Sequence, residues 1–298
     1  MNHKPKIGLA LGSGSARGWA HIGVIQALAG EGIQPDLVCG CSIGAFVGAV
    51  HASGNLDKLA VWVSGLTWQN VLALLDVSFK SGLIKGDKLS HLVARHFLHR
   101  EFTGLNMPFA CVATNLQTGH EVWLREGSLL RAVRAAAAMP GLMTPVRSEA
   151  ALLVDGALVN PVPVSLCRAM GAEIVIAVDL GSDIVGRARG RTAAVKEPPP
   201  QPAEEPGWTA RLLGRLRSPA EATEENLPSL VSVIQTSINV MQVRIARSRL
   251  AGDPADVLLA PRLAQLGLMD YHRGVEAIAE GMETVKRMRP AIDVALGR

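Results

Sequence analysis

Short apolar runs that end in a turn and lead into helical segments constrain the fold of this protein more than any other feature. Runs of this kind occupy residues 7–11, 37–39, 109–113, 152–154 and 174–178. Their continuous apolar character is typical of strands that are buried on both faces of a sheet. Segments with helical apolar spacing, such as residues 19–28 and 129–138, lie between them. The alternation predicts an α/β sandwich around a largely parallel sheet.

The amino-acid composition changes at about residue 186 and changes back near residue 228. The stretch 186–228 contains a proline run, several arginines and two Glu-Glu pairs, which predicts a linker or a mobile loop. Within it, Trp208, Leu212 and Leu216 repeat at helical spacing beside arginines, a pattern that suits either an anionic bilayer surface or a solvated linker. We expect a core over residues 7–180, a linker over 186–228, and a helical portion over 229–298 that completes the same domain.

The motif Gly40-Cys41-Ser42-Ile43-Gly44 matches G-x-S-x-G between a predicted strand and a predicted helix. The two glycines allow the turn to tighten, so that the Ser42 hydroxyl projects from the end of the strand. The following helix would direct its partly positive N-terminus towards an oxyanion formed there. The context favours a nucleophile over a turn of small residues with a purely structural role.

A second glycine-rich turn, GSGSARG at residues 12–18, also joins a predicted strand to a predicted helix. A phosphate-binding loop of a dinucleotide fold is one interpretation, but Arg17 stands where G-x-G-x-x-G needs its last glycine. The other interpretation is an oxyanion hole built from the backbone N–H groups of Gly12, Ser13, Gly14 and Ser15, with Arg17 fixing the loop. The G-x-S-x-G motif downstream favours the oxyanion hole.

A serine nucleophile needs a base, and Asp155 follows the predicted strand 152–154 at the sheet edge where we expect Ser42. A carboxylate in direct contact with the hydroxyl can accept its proton if burial raises the carboxyl pKa. The alternative is a triad with Asp155 or Asp179 as the acid and His272 as the base. We expect His272 rather to lie at the surface or to cap a helix, and His21 to pack beside the glycine-rich turn.

Cysteine spacing, the N-terminal residues and the net charge indicate which cofactors, partners and cellular location to expect. The four cysteines lack the spacing of a zinc site or a disulfide framework, so we expect buried thiols, no metal and no cofactor. Residues 1–6 hold no apolar segment of a signal peptide, which predicts a cytoplasmic protein. The net charge of +4 and the pI near 9.0 suit peripheral contact with the anionic inner face of a membrane. Nucleic acid is not an expected partner, because aromatic residues make up only 4% and no nucleic-acid-binding motif occurs.

Together these motifs resemble the patatin-like phospholipase family. The resemblance is carried by residues 12–18 with their continuation WAHIGV, by the turn at 40–44, and by Asp155-Gly156-Ala157. Segments 113–116 and 139–145 also resemble the family's bacterial branch, which is similar to neuropathy target esterase and to RssA-type proteins. The resemblance spans about residues 7–180 and 231–298, and the order and spacing of the three motifs make it specific.

The resemblance implies a three-layer α/β/α fold and a dyad in which Ser42 is the nucleophile and Asp155 the base, with no catalytic histidine. It predicts a serine esterase of the (lyso)phospholipase type that acts on lipid acyl chains. Two alternatives stay open: an acyltransferase that uses an acceptor other than water, and a non-catalytic regulatory or interaction module. The acyl length, the head group, the pathway and the oligomeric state are not predicted.

The resemblance also assigns Gly12, Gly14 and Arg17 to the oxyanion block. This sequence departs from the family there, since many members have glycine where it has Ser13 and Ser15. Serine supplies the same backbone N–H group as glycine but tolerates a positive φ less well.

Overall fold

A mixed β-sheet forms the centre of the molecule. The structure, a computed structural model, describes residues 4–74, 96–148, 151–182 and 230–298. Within these residues eight strands form one sheet: β1 Ile7–Leu11, β2 Leu37–Cys41, β3 Phe109–Asn115, β4 Glu121–Leu124, β5 Val146–Ser148, β6 Ala151–Asp155, β7 Ile174–Val178 and β8 Val257–Leu259. Strands β3, β2, β1, β7 and β8 lie side by side in parallel. Strands β4 and β6 pair antiparallel with β3, and β5 pairs antiparallel with β6.

Helices flank this sheet. The α-helices of the described residues are α1 Ala20–Gly30, α2 Ile43–Ala52, α3 Leu56–Ser64, α4 Trp68–Leu74, α5 Leu129–Ala136, α6 Val164–Ala169, α7 Leu230–Gly252 and α8 Gly274–Ala295. Single 3-10 turns cover Ser15–Trp19, Phe102–Gly104, Gly156–Leu158 and Tyr271–Arg273. Among the described residues, no helix combines the length and the apolar character that crossing a bilayer requires.

Alternating side chains of the strands build an apolar core on each face of the sheet. Ile7, Leu9 and Leu11 of β1 pack in one cluster with residues of α1, α2 and α8. Ala10 points to the other face and belongs to a second cluster, with residues of α6 and Ala246 of α7. Because successive side chains of a strand point to opposite faces, helices cover both sides of the sheet. The predicted three-layer α/β/α sandwich with a mostly parallel sheet is confirmed.

The segment that follows residue 229 contributes more than helices. Strand β8 lies between α7 and α8 and extends the sheet by pairing with β7. Helix α8 packs along α1 on the opposite side of the molecule from α6. The predicted linker over 186–228, with its amphipathic segment at 208–217, lies outside the described residues.

Candidate active site

Ser42 occupies a sharp turn between β2 and α2. Its backbone has φ 55° and ψ −123°, a conformation that non-glycine residues rarely adopt. A Cβ atom at Gly40 would stand 2.4 Å from the Gly44 carbonyl oxygen, and one at Gly44 would stand 2.2 Å from the Leu11 carbonyl oxygen. Glycine at both positions therefore allows β1, β2 and α2 to approach closely enough to hold Ser42 in this strained turn.

Asp155 lies at the end of β6, and its Oδ2 atom accepts a hydrogen bond of 2.6 Å from the Ser42 hydroxyl. Ser42 and Asp155 meet because β6 pairs antiparallel with β3. It does not lie parallel beside β2. Along β3, Val112 pairs with Cys41 of β2, and the next residue, Ala113, pairs with Asp155 of β6. Strand β6 therefore takes the place beside β3 at the point where β2 ends. This brings the Asp155 carboxylate to the Ser42 hydroxyl.

Three further hydrogen bonds fix Asp155, which is completely buried. Its Oδ1 atom accepts from the Ala157 N–H at 2.8 Å, its carbonyl oxygen accepts from the Thr114 hydroxyl at 2.8 Å, and its N–H donates to the Ala138 carbonyl at 3.0 Å. Burial raises the pKa of Asp155 to about 6, against the smaller opposing effect of the hydrogen bonds from Ser42 and Ala157. Such a pKa leaves the carboxylate ionised near neutral pH but basic enough to take up a proton.

The glycine-rich turn has fewer free N–H groups than the sequence predicts. The Gly12 N–H donates to the Val178 carbonyl at 3.0 Å, and the Ser13 N–H donates to the Pro161 carbonyl at 2.9 Å. Both N–H groups are already used in hydrogen bonds to backbone carbonyls at the sheet edge and in its loops. They therefore do not line an oxyanion hole, contrary to the prediction from the sequence. The N–H groups of Gly14 and Ser15 form no hydrogen bond within the part of the protein that the structure describes.

Ser15 is held in a left-handed conformation by its own side chain. Its φ is 53°, and the residue is largely buried. The Ser15 hydroxyl donates to the Leu268 carbonyl at 2.6 Å and lies 2.8 Å from the Tyr271 hydroxyl. Because the single Ser15 proton goes to the carbonyl, the Tyr271 hydroxyl donates to the Ser15 oxygen. Burial also raises the pKa of Tyr271, which keeps that hydroxyl protonated.

Residues 266–271 clamp the rest of the same turn. The buried Arg17 side chain donates through Nε to the Leu266 carbonyl at 2.8 Å, so this arginine fixes the loop as expected. The Ala16 N–H donates to the Leu268 carbonyl at 3.1 Å, and the Trp19 ring N–H donates to the Tyr271 carbonyl at 3.1 Å. The clamp is not predictable from the sequence, because most of its acceptors are backbone carbonyls.

The histidines and the second aspartate do not join the serine. His272 packs against Trp68 with the two rings nearly perpendicular and their centroids 5.5 Å apart, and it makes no hydrogen bond to Ser42, Asp155 or Asp179 among the described contacts. Asp179 instead accepts hydrogen bonds from the Gly181 N–H and the Ser182 hydroxyl in its own turn. The triad alternative therefore has no geometric basis in the described structure.

His21 supports the glycine-rich turn through a hydrogen bond to its backbone. It is completely buried, and its Nε2 atom donates to the Gly12 carbonyl at 2.8 Å. Burial lowers the pKa of His21 to about 4, so the ring is neutral at physiological pH. The hydrogen bond beside the turn agrees with the expectation from the sequence.

Cys39, Cys41, Cys111 and Cys167 are free, buried thiols. Within the described ranges, no three histidine, cysteine, aspartate or glutamate side chains come close enough together to hold a metal ion.

Comparison with known proteins shows which family this chain resembles. The family model described as patatin-like phospholipase matches residues 9–168. An uncharacterized NTE family protein of Mycobacterium tuberculosis is 32% identical over 97% of this chain and 93% of its own length. Patatin-like phospholipase domain-containing protein 6 of Homo sapiens is 35% identical over 59% of this chain, which corresponds to 13% of that protein. Among solved structures, VipD from Legionella pneumophila matches 96% of this chain and 67% of its own with a TM-score of 0.48 and 14% identity.

Proposed function

Because this chain belongs to the patatin-like phospholipase family, which implies lipid hydrolysis, we propose that it is a serine lipid acyl hydrolase with Ser42 and Asp155 as its catalytic dyad. The observation that carries the proposal is the 2.6 Å hydrogen bond from the Ser42 hydroxyl to a buried carboxylate. The positive φ of Ser42 supports it, since strain of this kind is typical of functional turns.

The first half of the reaction forms an acyl-enzyme. The Ser42 oxygen attacks the ester carbonyl carbon while its proton passes to Asp155 Oδ2. The tetrahedral intermediate then collapses, the bond from carbon to the leaving oxygen breaks, and Asp155 returns the proton to the departing alcohol. In the second half, water attacks the acyl carbon, gives a proton to Asp155, and the fatty acid leaves as Ser42 recovers its hydroxyl proton.

The oxyanion is stabilised by backbone N–H groups. Gly14 and Ser15 supply N–H groups that are unused within the described residues, and so does Ile43 at the first position of α2. The N-terminus of α2 adds a partial positive charge next to the nucleophile. Removing one well-aligned donor of this kind typically costs about 10²- to 10³-fold in turnover.

The substrate class that we propose is a phospholipid or lysophospholipid, with no cofactor required. We propose further that the protein is cytoplasmic and contacts an anionic membrane peripherally. The proposed domain division keeps residues 7–180 and 229–298 in one domain, supported by the pairing of β8 with β7 and the packing of α8 on α1.

The test is labelling with a fluorophosphonate probe together with turnover of a soluble short-chain ester. Wild type should be labelled and Ser42→Ala should not, and Ser42→Ala and Asp155→Asn should each lower turnover by at least about 10³-fold. His272→Ala is the matched control and should stay within about tenfold of wild type. Labelling of the Ser42→Ala variant, or substantial turnover by Asp155→Asn, would contradict the dyad.

The alternatives have their own outcomes in the same experiment. A non-catalytic module would leave wild type unlabelled. An acyltransferase would be labelled but, with a lysophospholipid as substrate, would yield a new acyl ester in place of free fatty acid. A hydrolase releases fatty acid whether or not an acyl acceptor is added.

A further inference from the structure

One side of α7 is exposed and carries four large apolar side chains. Between residues 233 and 248 the exposed residues recur at helical spacing on a single arc of the helix, and we refer to this arc as the outer face of α7: Val233, Ile234, Thr236, Ser237, Val240, Met241, Arg244, Arg247 and Ser248. The four apolar members are between 44% and 51% exposed. The opposite arc, with Ile238, Gln242 and Ala246, is buried against the protein. The helix is therefore anchored on one side and presents four large apolar side chains on the other.

The charge on this helix has only one sign. Residues 230–252 contain three arginines and no aspartate or glutamate. Arg249 forms an ion pair of 2.6 Å with Glu121, whereas Arg244 and Arg247 form none with any residue that the structure describes. The outer face thus combines an apolar half with a half that carries two exposed cationic side chains. This combination is complementary to a surface that is apolar beneath an anionic layer.

The same helix borders the candidate active site. Val243 packs against Gly181, just after the end of β7, with its methyl group 2.9 Å from where a Cβ at Gly181 would stand. Ile234 lies beside Gly141 in the segment that begins at Ala138, whose carbonyl accepts from the Asp155 N–H. Helix α7 also contacts the turn Gly156–Leu158, directly after Asp155. Helix α7 therefore connects the outer face to the turns that border Ser42 and Asp155.

We propose that the outer face of α7 docks the protein on an anionic lipid bilayer. Val233, Ile234, Val240 and Met241 enter the boundary between headgroups and acyl chains, while Arg244 and Arg247 contact lipid phosphates. The proposal rests on the proposed function, since a lipid acyl hydrolase must reach substrate held in a bilayer. The outer face of α7 is then the part of the surface that brings the candidate active site to that substrate.

The experiment measures sedimentation of the full-length protein with vesicles of ether-linked phosphatidylglycerol and phosphatidylcholine, which cannot be hydrolysed, and with vesicles of ether-linked phosphatidylcholine alone. Arg244→Gln/Arg247→Gln should weaken binding to anionic vesicles about tenfold and abolish most of its salt dependence. Val240→Ser/Met241→Ser should weaken binding to both kinds of vesicle.

The matched control is Lys286→Gln/Val294→Ser on α8, which removes one exposed cation and one exposed apolar side chain on the other side of the sheet. It should bind anionic vesicles like wild type. All three double variants should hydrolyse a soluble short-chain ester within about twofold of wild type, because no changed residue belongs to the dyad or the oxyanion loop.

Two results would overturn the proposal. The first is a failure of the vesicle assay to depend on the outer face, seen as unchanged binding in both α7 variants or as no binding even by wild type. The second is a change in the oligomeric state of the α7 variants, measured by light scattering, without a change in vesicle binding, which would make the outer face a contact between copies of the protein. Because binding to ether lipids needs no catalysis, an inactive wild type that binds vesicles would contradict only the proposed function.

Discussion

Replacing Ser15 by alanine should loosen the glycine-rich turn at residues 12–18 more than replacing it by glycine. The wild-type residue stays at φ 53° although a left-handed conformation costs a non-glycine residue about 1 to 2 kcal/mol. The hydrogen bonds of the Ser15 hydroxyl with Leu268 and Tyr271 offset this cost, at about 1 kcal/mol each. Alanine loses both bonds and keeps the conformational cost, whereas glycine loses both bonds and avoids the cost.

The expected magnitudes follow from these two terms. Ser15→Ala should lower the free energy of unfolding by about 2 kcal/mol and Ser15→Gly by only about 0 to 1 kcal/mol. If alanine at residue 15 prefers other conformations to the left-handed one by about 1 to 2 kcal/mol, the left-handed form of the turn is populated at about 3 to 15%. Because we expect only this form to be catalytically competent, kcat falls about tenfold. Ser15→Gly should keep kcat within about threefold of wild type.

Urea denaturation and turnover of a soluble ester measure both effects, and Tyr271→Phe provides the control. This change removes one hydrogen bond and should cost about 1 kcal/mol in the wild-type background. In the Ser15→Gly background the same change should cost almost nothing, because its partner is already gone. Equal stability and turnover for the alanine and glycine variants would refute the conformational cost at residue 15, and an alanine variant as stable as wild type would refute the role of the serine hydroxyl.

Three further predictions concern titratable groups. Turnover should rise with pH through about 6 as Asp155 loses its proton, and a flat profile between pH 4.5 and 8 would contradict its role as base. Because the folded-state pKa of Asp155 is raised, the stability contributed by its neutral form is present below about pH 4 and is lost as the pH rises through about 6. Asp155→Asn should therefore be more stable than wild type at pH 8, by about 3 kcal/mol, and not at pH 4, as urea denaturation at both values would show. His21 has a lowered pKa of about 4, so its titration should cost wild type about 2 kcal/mol between pH 7 and 4.5 as the unfolded protein takes up a proton, a loss that the titration of Asp155 largely offsets over the same range. His21→Gln, which can keep the donor to Gly12, should reduce that loss, and an unchanged acid sensitivity would count against this assignment.

The sequence predicts those parts of the molecule that depend on local patterns. The five long strands are visible because continuous apolar runs end at recognisable turns, and Ser42 is visible because the turn around it needs glycine at both ends. Strands β4, β5 and β8 have four, three and three residues, too few for a period to emerge. The half-exposed β4 also lacks the apolar continuity of its neighbours.

The parts of the site that depend on pairing between distant residues cannot be predicted from the sequence. Asp155 is predicted at the correct edge, but by an argument for parallel strands, and only the antiparallel register of β6 on β3 explains its contact with Ser42. The occupied N–H groups of Gly12 and Ser13 are equally hidden, because their acceptors are carbonyls of distant loops. Any residue type can supply a backbone carbonyl, so no motif marks these contacts.

The clamp between Ser15 and Tyr271 has a consequence for biosynthesis. The two residues are 256 positions apart, so the glycine-rich turn cannot be secured until most of the protein has been made. At about 5 to 20 residues per second, the growing polypeptide carries Ser42 without this clamp for roughly 10 to 50 s. A ribosome-bound polypeptide that ends before residue 266 would hold the nucleophile beside an untethered loop. Lipid-cleaving activity would thus be withheld during synthesis by the order in which the contacts become available.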